Sequence, residues 1–331
     1  WDGSAWQSYG ASATFTSSTM LVRTTISNDT TYEGAETFTL DATYTSGLAR
    51  TQTGTATIRD DGTGNSSYGG SGTGTNDDRT LSVNNISVNE GSPYGVFTVT
   101  ANIGETLTLA LNDGSASGSG TDYGTTGSDG HVAMEYSTDG GSTWTNYTAG
   151  FTVPGSGVGT ASVLVRTSVT NDSTYEGEET LTLDATYTSG LARSQTGTAT
   201  IHDDGTGQWF DGTGGTGSNA APNGSALNDD RYLNVSNVTV NEGSPYAVFE
   251  VTGAAGQKAT LAVNNNTSTG LVTLQYFNGT AWVPYSATVA LDGAGQLLVR
   301  TTVVNDTTYE GAEALQLVVT TAAGANRVTR S

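Results

Sequence analysis

Asn171-Asp172-Ser173-Thr174-Tyr175-Glu176-Gly177 occurs three times in this chain. Its other copies are Asn28-Asp29-Thr30-Thr31-Tyr32-Glu33-Gly34 and Asn305-Asp306-Thr307-Thr308-Tyr309-Glu310-Gly311. Asn28 to Asn171 is 143 residues, and Asn171 to Asn305 is 134. A second marker, Asn89-Glu90-Gly91-Ser92-Pro93-Tyr94, returns as Asn241-Glu242-Gly243-Ser244-Pro245-Tyr246. A third, Ile58-Arg59-Asp60-Asp61-Gly62, returns as Ile201-His202-Asp203-Asp204-Gly205. The chain is therefore a tandem array, and its acids are to be read as a pattern repeated in each unit, not as one active site.

The markers predict a partial repeat over 1–64, a connector over 65–79 and a complete repeat over 80–207. A second connector follows over 208–231, then a repeat over 232–331 that stops before a closing strand. One unit is about the size of a single domain with its own core. Trp1-Asp2-Gly3-Ser4-Ala5-Trp6 aligns with Phe277-Asn278-Gly279-Thr280-Ala281-Trp282, so the first unit begins in mid-repeat. That register reads as a window cut from a longer polypeptide, with a subunit completed by its neighbour as the rival reading. Both connectors are rich in Gly, Ser, Asn and Thr, a composition of flexible links or surface loops. Each ends in the same register, at Asn76-Asp77-Asp78-Arg79 and Asn228-Asp229-Asp230-Arg231.

Apolar residues alternate with polar ones over short runs, as at Leu107, Leu109 and Leu111 or at Leu181 and Leu183. Period two bounded by Gly and Asn turns marks half-buried strands. Asp2-Gly3, Asp139-Gly140 and Asn278-Gly279 hold one hairpin position in each unit, where tight turns demand positive φ. The expected fold class is all-β, tandem sandwiches of seven or eight strands joined by Gly/Ser/Asn-rich connectors.

Composition narrows function. The formal charge is -21, Lys258 is the single lysine and there is no cysteine. Acidity of this degree excludes nucleic acid and anionic membrane surfaces as partners, since both need clustered Lys and Arg. No apolar run approaches the ~20 residues of a membrane helix. A cysteine-free, Thr- and Asn-rich chain fits a bacterial or archaeal exterior, stabilised by something other than disulfides.

Twenty of the 32 acids fall at recurring positions. In the complete unit Glu90 lies on the opening strand and Asp122 in a loop. Asp172, Glu176 and Glu179 crowd one turn, and Asp203 and Asp204 close the last strand. Strand starts, strand ends and alternate loops share one pole of a sandwich, so these acids are expected to converge near the joint between units. Carboxylates held together repel unless protonated or neutralised by a cation. An oxygen-only ligand set without Cys or paired His selects a hard ion, and calcium accepts six to eight such oxygens. The competing reading is a solvated acidic surface that keeps the protein soluble.

Glu-Gly on the first strand, Asp-Tyr in a middle loop, Asp-x-x-x-Glu-Gly-x-Glu and a final Ile-x-Asp-Asp together resemble the Calx-β type of immunoglobulin-like domain. The resemblance implies a β-sandwich that binds Ca2+ at its interdomain end, in large bacterial surface proteins. It implies Glu90, Asp122, Asp172, Glu176, Glu179, Asp203 and Asp204 as ligands. Their counterparts are Asp29, Glu33, Glu36, Asp60 and Asp61 in the first unit and Glu242, Asp306, Glu310 and Glu313 in the third. Gly62 and Gly205 stand where the family often has a further Asp, and the third unit has no Thr-Asp-Tyr. Asp77, Asp78, Asp229 and Asp230 are added from the connectors, with Asp229 and Asp230 expected to share ions with Asp203 and Asp204.

Other motifs carry less. Gly212-Thr213-Gly214-Gly215-Thr216-Gly217 spells a dinucleotide fingerprint but opens no helix, so it reads as linker. Gly69-Gly70-Ser71-Gly72-Thr73-Gly74 lacks the acids of a calcium-binding nonapeptide. His131 and His202 occupy no repeated position, which leaves no triad or zinc site. Trp6, Trp144 and Trp282, with Tyr9, Tyr147 and Tyr285, are expected in the core, the rival being sugar stacking. Trp209 and Phe210 are a contact candidate, either with a neighbouring chain or folded back on their own unit. Asn85, Asn146, Asn237 and Asn278 head glycosylation triplets. The expected function is non-enzymatic: a calcium-stabilised stalk or extender of a bacterial extracellular or cell-surface protein, whose partners are the neighbouring repeats. The alternatives are a surface layer, sheath or filament assembling homotypically, laterally or end to end, and a glycan-binding adhesin.

Overall fold

A computed structural model describes residues 1, 4–15, 17–65, 76–124, 133–265, 273–309, 311–321 and 329–330. Glu310, His131, Asp2-Gly3 and Gly69–Gly74 lie outside the described residues.

The chain is all-β, a series of β-sandwich units. The first unit contributes an antiparallel ribbon of β1 (Glu36–Thr43) and β2 (Thr51–Ile58), in register from Glu36↔Ile58 to Thr43↔Thr51. The second unit contains β3 (Leu81–Val83), β4 (Ile86–Asn89), β5 (Tyr94–Asn102), β6 (Thr106–Asp113), β7 (Glu135–Ser137), β8 (Thr145–Asn146), β9 (Phe151–Thr152), β10 (Thr160–Ser168), β11 (Glu179–Tyr187) and β12 (Arg193–His202). These form two five-stranded sheets, β3-β5-β10-β7-β8 and β4-β12-β11-β6-β9. The strand count exceeds the expected seven or eight because short two-residue ladders such as β8 and β9 flank the main strands.

The third unit repeats the plan with β13 (Leu233–Val235), β14 (Tyr246–Gly253), β15 (Lys258–Asn265), β16 (Leu274–Phe277), β17 (Trp282–Pro284), β18 (Val289–Ala290), β19 (Gln296–Thr302), β20 (Leu315–Thr321) and β21 (Thr329–Arg330). Its sheets run β13-β14-β19-β16-β17 and β18-β15-β20-β21.

Side chains on a strand alternate between faces, and here the inward set makes the core. Phe97, Val99 and Ala101 of β5 meet Leu181, Leu183, Ala185 and Tyr187 of β11 in the second unit, and Phe249, Val251, Leu317 and Val319 form the third unit's core. Tyr147 and Tyr285 are partly buried against these cores, and their hydroxyls accept from the Leu109 and Leu261 N–H groups at 2.8 and 2.9 Å. Trp144 is packed against the second unit's core as well, and the guanidinium groups of Arg23, Arg166 and Arg300 lie over the Trp6, Trp144 and Trp282 rings at 4.2, 4.2 and 4.4 Å.

The 208–231 connector, expected as a flexible link or a surface loop, starts as a fixed strap. Gln208 pairs with Val88, Phe210 pairs with Tyr94, and Trp209 pairs with Ser218 in a local hairpin. Phe210 is only 2% exposed and belongs to the second unit's core cluster. Of the two roles open to Trp209 and Phe210, the chain takes the second and folds them back on their own unit. The glycines permit this: Gly212 has φ +80, a conformation L side chains rarely adopt, and a Cβ there would lie 2.8 Å from the Tyr94 ring. The dinucleotide-like run is thus a covering strap.

Candidate functional site

Three rails of inward-facing side chains run off the edge of the second unit's core and each ends in a carboxylate. On β4 the inward series is Ile86, Val88 and then Glu90; on β12 it is Ala199, Ile201 and Asp203; on β11, read backwards, it is Leu183, Leu181 and Glu179. Alternation aims all three acids at the same interior pole. β4 and β12 are parallel, with His202 opposite Asn89, and the Glu90 N–H donates to the His202 carbonyl at 2.7 Å. That pairing seats Glu90 beside Asp203. The β10–β11 turn supplies Asp172 and Glu176, and the loop after β6 supplies Asp122. Together with Thr121, Thr170 and Gly177 they line one concavity.

Two features set the pole apart. Glu90 and Asp203 are 5% and 3% exposed, yet among the described residues Glu90 Oε2 and Asp203 Oδ1 have no hydrogen-bond partner. Their other oxygens are used: Glu90 Oε1 accepts from the Asp172 N–H at 2.8 Å, and Asp203 Oδ2 from the Glu176 N–H at 2.7 Å. Asp230, arriving from the following connector, also has a buried, unpartnered Oδ2. The second feature is that Asp122, Glu176 and Glu179 each place a carboxylate oxygen within 4.8 Å of the others.

Electrostatics follow from this crowding. Burial, then the charges of Asp203, Asp230 and Asp172, push the Glu90 carboxyl up to about 7. Burial and the nearby Asp122, Glu176 and Asp203 do the same to Glu179, also to about 7. Glu176, Asp203 and Asp230 are likewise raised, each first by burial. Such a site holds protons, or a cation in their place. The donor set is oxygen throughout, as a hard divalent ion requires.

The structure splits each Asp-Asp pair. Asp203 faces the pole, whereas Asp204 Oδ1 accepts from the Thr206 N–H at 3.0 Å and from its hydroxyl. Asp60 and Asp61 divide the same way: Asp60 Oδ2 accepts from the Glu33 N–H at 2.9 Å, and Asp61 Oδ1 caps Thr63 at 3.0 Å. In the connectors, Asp229 is bidentate to Arg231 at 2.7 and 2.7 Å and Asp77 to Arg79 at 2.9 and 2.9 Å, which leaves Asp230 for the pole, where its charge acts on Glu90 and Asp203. Asp61, Asp77, Asp204 and Asp229, expected as ligands, are therefore not brought to the cluster. Neighbours along an extended chain point to opposite sides, so both members of such a pair cannot.

The outer units carry fragments of the same arrangement. The Asx turn of the repeat marker recurs exactly in kind: Asp29, Asp172 and Asp306 accept from the amides of Thr31, Thr174 and Thr308 at 2.7, 2.6 and 2.6 Å. Glu242 Oε1 accepts from the Asp306 N–H at 2.9 Å, as Glu90 does from Asp172. Asp29, Glu33 and Glu36 in the first unit and Glu242, Asp306 and Glu313 in the third are all exposed, and Asp78 accepts from Asn76 at 3.0 Å. Asp60 Oδ1 is buried and unpartnered, like Asp203 Oδ1.

Sequence reasoning missed the role of the arginine that ends each connector. The Arg79 side chain is fully buried. It binds Asp77, donates to the Asp61 carbonyl of the first unit at 3.1 Å, and reaches the Ser189 and Leu191 carbonyls of the second at 2.5 and 2.5 Å. Glu105 completes the joint by accepting from Arg79 at 3.2 Å, from Ser189 and from Tyr32 of the repeat marker. Arg231 repeats part of this, donating to the Asp204 carbonyl at 2.7 Å. The invariant register of Asn-Asp-Asp-Arg was the available signal.

No family model and no curated protein matches this chain. Among solved structures it is similar to mouse clustered PcdhgC3 EC1-3, at 13% identity and a TM-score of 0.35, over 90% of this chain and 75% of that one. It is also similar to a tetra-tandem repeat in the extending region of a large adhesion protein, at 15% identity and a TM-score of 0.31, over 90% of this chain and 55% of that one. At these scores neither likeness bears on function. Among the described residues no helix is long and apolar enough to cross a membrane.

Proposed function

We propose that this chain is a structural, calcium-stabilised tandem-repeat region of a long bacterial extracellular or cell-surface protein, serving as stalk or extender. The observation that carries this reading is the pair Glu90 and Asp203, buried acids that each keep one oxygen unpartnered. Asp122, Glu176 and Glu179 would hold one ion. Glu90, Asp203 and Asp230, with Asp172 at their edge, would hold another, and Asp203 feels both groups. Bound calcium supplies charge neutralisation and no reaction. Because Asp230 comes from the connector to the next unit, filling the site ties that connector to the pole and stiffens the joint. At free calcium ~100 times the dissociation constant, each site adds about 2.7 kcal/mol to folding.

The test is a thermal melt of the full chain in millimolar calcium, in magnesium and in EDTA. A rise in Tm specific to calcium, lost in Asp203→Asn, supports the reading; coincident melts sink it and return the acids to a solvated surface.

A further inference from the structure

The outward face of β14 and β19 keeps the principal apolar, aromatic and arginine positions of the face that the Gln208–Ser218 strap covers in the second unit. Tyr246 stands for Tyr94, Val248 for Val96, Leu298 for Leu164, Arg300 for Arg166 and Trp282 for Trp144, and the register is shared, Arg300↔Val248 matching Arg166↔Val96. The aromatic clasp is kept: Arg166 lies 4.1 Å from Tyr94 and 4.2 Å from Trp144, and Arg300 lies 3.8 Å from Tyr246 and 4.4 Å from Trp282. Ser92 Oγ donates to the Tyr94 carbonyl at 2.8 Å and accepts the Phe210 N–H at 2.8 Å; Ser244 Oγ makes the first bond, to the Tyr246 carbonyl at 3.0 Å.

Two things differ. Val96 and Leu164 are 0% and 7% exposed beneath the strap, whereas Val248 and Leu298 are 42% and 39% exposed. Arg166 is paired with Glu135 at 2.7 Å, whereas Gln275 stands in that position and gives Arg300 only a neutral acceptor at 2.7 Å. Among the described residues no carboxylate pairs with Arg300.

We propose that this face of the third unit is a docking surface for a glycine-rich polypeptide segment with an aromatic residue followed by an acid, the chemistry of Trp209-Phe210-Asp211-Gly212. The aromatic ring covers Val248 and Leu298, and its amide donates to Ser244 Oγ. The acid belongs at the Arg300 end, where the sheet lacks the charge Glu135 supplies next door, and away from Glu250, which replaces Thr98 at the other end. Glycine brings the backbone closest where it crosses Leu298, as Gly215 does over Leu164, where a Cβ would lie 2.7 Å from Leu164 Cδ2 and push the leucine aside.

The experiment titrates the full chain into a fluorescein-labelled peptide of Gln208–Ser218 and reads anisotropy. Saturable binding is expected, about tenfold weaker or worse with Leu298→Asp or Val248→Asp in the chain, or with Phe210→Ala in the peptide. Both chain substitutions fall at exposed positions, so an unchanged melt shows that the fold survives them. Absence of saturable binding overturns the proposal, as does binding that Leu298→Asp leaves intact, which would place the peptide in the second unit's own strap site. Self-association of the chain that Leu298→Asp abolishes also overturns it, with a second copy as the occupant.

Discussion

Glu90 and Asp203 sit side by side at the ends of parallel strands, each pointing into the sandwich and each with one buried oxygen unsatisfied. Two like charges so placed oppose folding unless something positive joins them.

Replacing Glu90 by Gln separates repulsion from ligation. Gln keeps the oxygen that accepts from the Asp172 amide and removes the charge. The expected outcome is a higher Tm than the unaltered chain in EDTA at pH 8, and a calcium increment smaller by about 2.7 kcal/mol, one site's worth. Paired melts in EDTA and calcium read both effects.

Stability without calcium should fall as pH rises. Glu90 and Glu179 titrate at about 7 in the folded chain, against an ordinary value of 4.5. Between those values the folded state holds protons that the unfolded state has released, so stability is greatest near the lower bound and is lost as pH climbs through the upper. In EDTA the Tm is expected to drop by several degrees from pH 5 to pH 8. Calcium needs the ionised carboxylates, so its increment should grow over the same interval.

Arg79→Ala should damage the first joint while leaving the calcium response of the second unit in place. The substitution strands Asp77 and Glu105 without their buried partner. Breaking such a pair costs about 3–5 kcal/mol. A lower melting transition, and a broader distance distribution between spin labels on the first and second units, would record it.

Gly190 and Gly47 occupy the same turn in successive units, at φ +66 and +76. A Cβ at Gly190 would lie 2.7 Å from the Asp61 carbonyl oxygen and 2.9 Å from Arg79 Nη1, whereas at Gly47 it meets nothing within 4 Å. Gly47→Ala should cost only the strain of a left-handed residue, about 1 kcal/mol. Gly190→Ala should cost more and loosen the joint as well, a contrast that denaturant unfolding of the two variants resolves.

The repeat, the all-β class and the list of recurring acids are legible in the sequence, because they depend on local rules: alternation, turn residues and exact recurrence. Even the inward aim of Glu90, Asp203 and Glu179 can be read, since each extends an apolar series in steps of two. Which Asp of each pair faces the pole is fixed at Asp203 by the parity of β12. In the connectors it is fixed only when Arg79 and Arg231 claim Asp77 and Asp229. The sequence likewise could not place Phe210, because a glycine-rich run carries no periodicity and its position comes from surface offered by β5 and β10. The joint is decided the same way. Arg79 meets carbonyls more than a hundred residues away, at Ser189 and Leu191, a contact that exists only once two units fold and abut. Local pattern settled what each strand would be; long-range pairing settled which side chains would meet.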